Sequence, residues 1–173
     1  MTNINAVIFD LDDTIINTSE IKKLRKKPWN DCYSHIPTKT YAIFDESLHD
    51  FLKDMNQKVG IVTNSPRPYA ERVLKHHNFK YHNLVAYHDV KKRKPHPEPF
   101  YKCADLLGVE TKNIISVGDH TNDIIASKEA GMKTIGVTWG ECSLSELKQI
   151  GCDFIVNDAK EAMELLKRLK WGR

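Results

Sequence analysis

The chain alternates between short, uninterrupted apolar runs and longer segments in which apolar residues recur every three or four positions. The first kind has the length of a buried strand, and the second has the period of an amphipathic helix. The predicted strands are VIF (7–9), VGIVTN (59–64), LVAYH (84–88), NIISVGD (113–119), KTIGVTW (133–139) and DFIV (153–156). Continuous apolar strands that alternate with helices predict a parallel sheet covered by helices on both faces, which is a Rossmann-like α/β fold.

The segments between these strands predict the covering helices. They are FDESLHDFLKDMNQK (44–58), PRPYAERVLKHH (66–77), a helix ending at Leu107 before Gly108, TNDIIASKEAG (121–131), LSELKQI (144–150) and DAKEAMELLKRLK (158–170). Gly108 and Gly131 are expected to terminate their helices, because glycine readily adopts the left-handed conformation found there.

One segment breaks this alternation. Between Ile15 and Phe44 a basic run, KKLRKK at 22–27, is followed by the aromatic and polar stretch PWNDCYSHIPTKTY at 28–41. We interpret the chain as a single domain over residues 1–173 with a small cap insertion at 18–44. The insertion is expected to be helical in its first half and to bury its aromatic side chains, Trp29, Tyr33 and Tyr41, together with Ile36.

Composition is ordinary for a globular protein. The 173 residues are 40% hydrophobic and 28% charged, with a net charge of +3. This balance indicates no membrane surface, and a nucleic-acid partner is not expected. The basic run is predicted to be the exposed face of a helix, with a basic rim that attracts anionic substrates as the alternative. The N-terminus does not resemble a signal peptide, and the four cysteines have no CxxC spacing, so we expect reduced thiols and a cytoplasmic location. The oligomeric state is left open.

Polar side chains that can do chemistry follow the predicted strands. They are Asp10 and Asp12 after the first strand, Thr63 and Asn64 after the second, Lys94 in the loop after the third, and Asp119 and Asp123 after the fourth. In a parallel sheet all of these lie at the same edge, where such folds bind ligands. Several carboxylates in one place require a cation, and hard oxygen ligands favour Mg²⁺. Carboxylates, a metal, a lysine and a threonine together suit phosphoryl transfer.

These residues also carry a family resemblance. DLDDT (10–14), IVTNS (61–65), KPHPEPF (94–100) and SVGDHTNDI (116–124) resemble, in order, the four motifs of the haloacid dehalogenase-like superfamily of phosphohydrolases. The resemblance extends from Ala6 to Gly140 and is greatest to the phosphoglycolate phosphatase-like branch. It implies a small phosphorylated substrate, hydrolysed as a phosphate monoester through an aspartyl phosphate.

The resemblance also implies individual roles. Asp10 is the expected nucleophile, and Asp12 is the expected general acid and base, with its main-chain carbonyl as a metal ligand. Asp119 is an expected direct ligand of Mg²⁺. Asp123 is expected to bind the metal through water or to pair with Lys94. Thr63, Asn64 and Lys94 are expected to bind the phosphate group. An acid at position 12 indicates phosphate esters or anhydrides as substrates.

The small size of the expected cap bears on the substrate. Relatives in this branch usually carry a larger cap, which determines their substrate specificity. A smaller cap is expected to leave the site open to larger or more varied phosphate compounds. Equal rates on small and bulky phosphate esters would support this hypothesis, and strict selectivity for one small metabolite would contradict it. A phosphotransferase or phosphomutase of the same fold is the alternative activity. A receiver-like signalling domain or a catalytically silent binding protein fits the motif order less well.

Overall fold

A computed structural model describes residues 3–172, and its centre is a parallel sheet of six strands. The strands of the chain are β1 (Ala6–Phe9), β2 (Ile16–Asn17), β3 (Tyr41–Ala42), β4 (Lys58–Val62), β5 (Asn83–Val85), β6 (Ile114–Gly118), β7 (Lys133–Val137) and β8 (Phe154–Val156). The order across the main sheet is β5-β4-β1-β6-β7-β8, while β2 and β3 form a separate antiparallel pair. This topology confirms the predicted α/β fold.

In the described part of the chain, seven α-helices connect and cover these strands. They are α1 (Asn30–Lys39), α2 (Ser47–Asp54), α3 (Arg67–His76), α4 (Glu98–Leu107), α5 (Thr121–Glu129), α6 (Leu144–Gln149) and α7 (Ala159–Arg168). As predicted, α4 ends at a glycine in the left-handed conformation, since Gly108 has φ +64°. None of the helices within residues 3–172 combines the length and the hydropathy needed to cross a bilayer.

The sheet separates two hydrophobic cores because successive side chains of a strand point to opposite faces. In β1, Val7 and Phe9 belong to a large core, which also receives residues of α2, α3 and α7. Ala6 and Ile8 belong to a second core, built mainly with α4 and α5. All four side chains are fully buried, so β1 is held from both faces and its C-terminal end is fixed at the middle of the sheet.

The segment between β1 and α2 forms a small structure over the carboxyl edge of the sheet. The β2–β3 pair joins its two ends, and between them lie a 3₁₀ helix (Ser19–Leu24) and α1. The first half is therefore a 3₁₀ helix, and the α-helix occupies the second half. Ile36 is buried as expected, but the expected burial of Tyr41 is wrong: it is 52% exposed, because both residues of β3 face solvent.

Candidate active site

A pocket of about 300 Å³ opens at the carboxyl edge of the sheet, beside the end of β1. It contains all seven side chains that the sequence indicated at strand ends. Its lining consists of Asp10, Asp12, Asp13, Arg25, Thr63, Asn64, Ser65, Lys94, Asp119, His120, Asn122, Asp123 and Glu141. The adjacency of β4, β1 and β6 explains this convergence, because the loops that follow these three strands meet at one edge of the sheet.

Lys94 lies at the bottom of the pocket between two carboxylates. Its Nζ is 2.8 Å from Asp10 Oδ1, 2.5 Å from Asp123 Oδ1 and 3.0 Å from the carbonyl oxygen of Val62. An ammonium group has three hydrogens to donate, so all of them are engaged. The side chain of Lys94 is only 3% exposed, which makes it a fixed positive charge.

Asp119 completes a cluster of three carboxylates. Oxygen atoms of Asp10, Asp119 and Asp123 lie within 4.8 Å of one another. The Thr14 hydroxyl lies 3.1 Å from Asp10 Oδ2 and 2.9 Å from Asp119 Oδ1, so it can donate to either. The Glu141 amide donates to the other oxygen of Asp119 at 2.9 Å. These donors hold the carboxylates of two strands in a fixed relation.

Burial and mutual repulsion shift the pKa values of the clustered carboxylates. Burial and the neighbouring Asp123 raise the pKa of Asp10 well above its ordinary value, although Lys94 opposes the rise. Burial and Asp123 likewise raise the pKa of Asp119. Burial alone would lower the pKa of Lys94, but Asp10 and Asp123 outweigh burial and raise it. One lysine thus faces three buried carboxylates, and these hard oxygen donors fit a divalent cation such as Mg²⁺.

Two glycines allow the backbone to approach this cluster closely. A Cβ atom on Gly140 would lie 2.3 Å from both Cβ and Oδ2 of Asp119, and one on Gly118 would lie 2.4 Å from Cβ of Asp123. Both distances are far below van der Waals contact, so neither position has room for a side chain. The two carboxylates are therefore packed against bare backbone.

Asp12 is not part of the three-carboxylate cluster; it accepts three hydrogen bonds from hydroxyl groups and forms an ion pair with Arg25. Its Oδ1 accepts hydrogen bonds from the Thr18 hydroxyl at 2.8 Å and the Tyr69 hydroxyl at 2.6 Å, and its Oδ2 accepts one from Ser65 at 2.6 Å. The guanidinium group of Arg25 lies 3.0 Å from Oδ1. Thr18 and Arg25 come from the segment over the pocket, whereas Ser65 lies just before α3 and Tyr69 in its first turn, so Asp12 links the segment and α3.

The remaining predicted residues lie in the loops around the pocket. Thr63 is buried, and its hydroxyl accepts a hydrogen bond from the Ser65 amide at 3.0 Å. The Asn64 amide group donates to the carbonyl oxygen of Lys94 at 3.1 Å. Asp13 has φ +61° and accepts a hydrogen bond from the Thr18 amide, so it turns the chain.

Sequence reasoning missed part of this lining. The missed residues with direct contacts to the site are Thr14, Arg25, Tyr69 and Glu141. Thr14 lies inside a quoted motif, so a signal existed for it, whereas Arg25 was hidden in a basic run. The aromatic residues of the insertion, Trp29, Tyr33 and Tyr41, are absent from the lining. His120 does line the pocket, and its ring also accepts from the Asn122 amide at the start of α5.

Comparison with known proteins identifies the relatives of the chain. The sequence profile of the haloacid dehalogenase-like hydrolase family matches residues 23–137, about two-thirds of the chain. Pyrophosphatase PpaX of Bacillus mycoides (strain KBAB4) is 28% identical over 211 aligned positions, which cover 96% of this chain and 98% of that protein. The alignment is longer than the 173 residues of this chain, so the relative contains residues that this chain lacks.

Solved structures share the fold. A predicted phosphoglycolate phosphatase from Haemophilus somnus 129PT superposes with a TM-score of 0.77 at 19% identity, over 96% of this chain and 99% of that one. The β-phosphoglucomutase PgmB of Clostridium difficile superposes with a TM-score of 0.73 at 22% identity, over 95% and 100% of the two chains. At these identities the likeness establishes a common architecture.

Proposed function

The chain belongs to the haloacid dehalogenase-like hydrolase family, and on that premise we propose that this phosphatase depends on Mg²⁺ and forms an aspartyl phosphate on Asp10. The observation that carries the proposal is the juxtaposition of Asp10 with Lys94, Asp119 and Asp123 at the end of the central strand. A carboxylate held in this way is a nucleophile with a fixed direction of attack.

The first step transfers the phosphoryl group to the enzyme. An oxygen of Asp10 attacks phosphorus, the bond from phosphorus to the leaving oxygen breaks, and that oxygen departs with the electron pair. Thr63 donates to the oxygens of the transferred group, on which negative charge is spread in the transition state. Lys94 binds these oxygens through its positive charge, because its three hydrogens are donated to protein oxygens. Water then attacks phosphorus, and the acyl phosphate bond breaks to return the Asp10 carboxylate.

Asp12 is proposed to act as the general acid in the first step and as the general base in the second. It gives a proton to the leaving oxygen of an ester and takes one from the attacking water afterwards. The hydrogen bonds from Thr18, Ser65 and Tyr69 support this role because they fix the position of the carboxyl group. The side chain of Asp12 is not one of the three clustered carboxylates, so the proposed metal ligands do not include it.

The residues proposed to hold the metal are Asp10, Asp119 and the main-chain carbonyl of Asp12. When bound, Mg²⁺ neutralises the carboxylates and the phosphate dianion, so the two can approach. Asp123 already engages Lys94 through Oδ1 and the His120 amide, at 3.0 Å, through Oδ2. These contacts favour the role of Lys94 partner for Asp123 and leave a ligand role through water.

The substrate is proposed to be a small phosphorylated compound. The relatives named above are a pyrophosphatase and a predicted phosphoglycolate phosphatase, which indicates anhydrides as well as monoesters. We also propose that residues 18–44 are a reduced cap on a single domain. The structure of the segment supports this, since it lies over the pocket and supplies Arg25 to the lining.

A phosphotransferase remains the alternative activity, because β-phosphoglucomutase shares the fold. A transferase must keep water from the acyl phosphate, usually by closing a cap. The short segment over this pocket favours hydrolysis. The positions of the acidic residues, after β1 and β6, do not favour the receiver-like alternative.

The test is phosphate release from p-nitrophenyl phosphate and a panel of phosphorylated metabolites, with Mg²⁺ or EDTA. We expect release only with Mg²⁺, and a loss of at least about a thousandfold in Asp10→Asn. Asp105→Asn, which changes an exposed side chain of α4 in the same way, is the matched control and should retain wild-type activity. Equal release by Asp10→Asn and wild type would disprove the covalent mechanism.

A further inference from the structure

We propose that Arg25 forms a second anion subsite, which binds the leaving half of a phosphoanhydride while Asp10 attacks the other half. The inference rests on the proposed function and specifies its substrate class: compounds with a diphosphate linkage, cleaved next to a second phosphate group. Arg25 has no role in the mechanism above, yet it is one of the two Lys or Arg residues in the described lining of the pocket.

The first argument is that Arg25 has unengaged hydrogen-bond donors, whereas Lys94 has none. The three donors of Lys94 are all engaged by protein oxygens, so Lys94 has no spare donor for a second anion. A guanidinium group has five N–H donors. Within residues 3–172, Arg25 has one recorded partner at hydrogen-bonding distance, a single oxygen of Asp12. Most of its donors are therefore available to a ligand.

The second argument is that the Asp12 carboxylate does not depend on Arg25 for its hydrogen bonds. Both oxygens of Asp12 already accept from neutral hydroxyl groups, those of Thr18, Ser65 and Tyr69. The side chain of Arg25 is nevertheless 17% exposed and so largely withdrawn from water. Desolvating a guanidinium group costs free energy, and a doubly charged phosphate offers the bidentate partner that it favours.

The third argument is position. In the proposed mechanism Asp12 faces the leaving oxygen, and Arg25 touches Asp12, so the guanidinium group lies next to whatever is attached to that oxygen. An alkyl or aryl group has no anionic oxygen that the guanidinium group could bind. A second phosphate group places charged oxygens there. When the bridging P–O bond breaks, the electron pair stays on this departing phosphate, and its new negative charge is next to Arg25.

The balance of the reaction requires no further reactant. One diphosphate linkage and one water molecule give two phosphate groups: Asp10 bonds to the first phosphorus as the bridging bond breaks, and water later releases it from Asp10. Inorganic pyrophosphate and a nucleoside diphosphate present the same linkage. The two sources are distinguished by the substrates used in the test.

The test compares Arg25→Gln with wild type on p-nitrophenyl phosphate, inorganic pyrophosphate and adenosine diphosphate, all with Mg²⁺. We expect kcat/KM of the variant for the two anhydrides to fall at least about tenfold, chiefly through KM, and for the aryl ester to change less than about threefold. Arg25→Lys should recover part of the loss, because it keeps the charge without the planar fork. The anhydride that wild type cleaves with the higher kcat/KM shows whether the substrate is inorganic pyrophosphate or a nucleoside diphosphate.

The matched control is Lys26→Gln, which removes the same charge from an exposed neighbour in the same segment and should preserve all three rates. A second measurement is calorimetric binding of methylenediphosphonate with Mg²⁺, which should weaken at least about tenfold in Arg25→Gln and not in Lys26→Gln. Equal losses on aryl ester and anhydrides would show that Arg25 only positions Asp12 and would overturn the inference. Wild type that cleaves the aryl ester but neither anhydride would also overturn it, with the proposed function intact. Wild type inactive on every substrate would refute both.

Discussion

Gly140 shows how strongly one residue can constrain the proposed metal site. Its backbone lies so close to Asp119 that an added Cβ would be 2.3 Å from the carboxylate side chain. Gly140→Ala should therefore push Asp119 out of the three-carboxylate cluster. We expect the half-saturating Mg²⁺ concentration for phosphatase activity to rise by about tenfold or more, comparable to the loss of a group that orients a metal ligand. Activity measured across a Mg²⁺ titration checks this.

Gly131→Ala is the control for a general loss of stability. Gly131 has φ +81°, so a side chain there is strained, but an added Cβ would meet only Thr111 at an ordinary 3.6 Å. This variant should lower the melting temperature and leave the Mg²⁺ dependence of activity unchanged. An unaltered Mg²⁺ titration in Gly140→Ala would contradict the role assigned to the close approach.

The residues of the site differ in how visible they are in the sequence. Asp10, Lys94 and Asp119 could be predicted because each directly follows a strand or precedes a proline in a strand-end loop, and strand ends meet in space. Arg25 could not, because nothing in KKLRKK distinguishes the one basic side chain that turns inward. Gly140 could be noticed but not explained, since its role depends on a side chain 21 positions away.

At the scale of elements, α3 connects the core of the protein to the proposed acid. Tyr69 lies in its first turn, is fully buried, and donates to Asp12 at 2.6 Å. Its ring also packs beside Trp29 of the overlying segment, with 5.9 Å between ring centroids. The burial of Tyr69 and its proximity to Asp12 raise the pKa of its hydroxyl, which keeps it a donor at all ordinary pH values.

Tyr69→Phe removes this hydroxyl and keeps the packing of the ring. We expect kcat for an alkyl phosphate to fall by about tenfold, because one hydrogen bond to a charged group is worth roughly 1.5–3 kcal/mol and only part of that is expressed in the transition state. KM should change little. Tyr41→Phe, at an exposed position, is the control. If kcat of Tyr69→Phe equals that of wild type, α3 does not position Asp12.

The elements themselves were largely predictable, with one informative exception. The strands and helices of the sheet follow from hydrophobic period, because burial on one or both faces imposes it. The segment between β1 and α2 has no such period. Its 3₁₀ helix buries Ile21, and the other contacts that hold it and the following residue are single ones, such as Arg25 with Asp12 and an exposed ion pair of Lys22 with Glu141. Structure fixed by such contacts leaves little pattern in a sequence.

At the scale of the whole molecule, the buried carboxylates of the site lower the free energy of unfolding, and the packing of the fold must compensate for this. Three buried carboxylates face one lysine, and a charge that is buried without a partner is unfavourable. The fold can bear this cost because β1, β4 and β6 are central strands, sealed by cores on both faces. Function and stability are therefore opposed at this edge of the sheet until a cation binds.

Asp119→Asn should consequently stabilise the protein when metal is absent. The pKa of Asp119 is raised in the folded state, so its ionisation costs folding free energy above that pKa, and the cost disappears below the pKa of the unfolded chain. An asparagine avoids the cost and can keep both contacts, accepting from the Glu141 amide and donating to the Thr14 hydroxyl. In EDTA near pH 8 we expect its melting temperature to exceed that of wild type by a few degrees, since ~1 kcal/mol corresponds to about 2–4 °C here.

The pH and metal dependence of this difference provide the decisive measurement. Calorimetry should show the advantage of Asp119→Asn shrinking as pH falls through the raised pKa of the folded wild-type Asp119. The advantage should vanish below the pKa of the unfolded carboxyl, about 4. Added Mg²⁺ should stabilise wild type by mass action and the variant much less, which reverses their order. Asp105→Asn, an exposed change, should follow wild type throughout. A variant less stable than wild type in EDTA at pH 8 would mean that Lys94 alone compensates the cluster, and the argument for a cation at the end of β1 would lose its energetic basis.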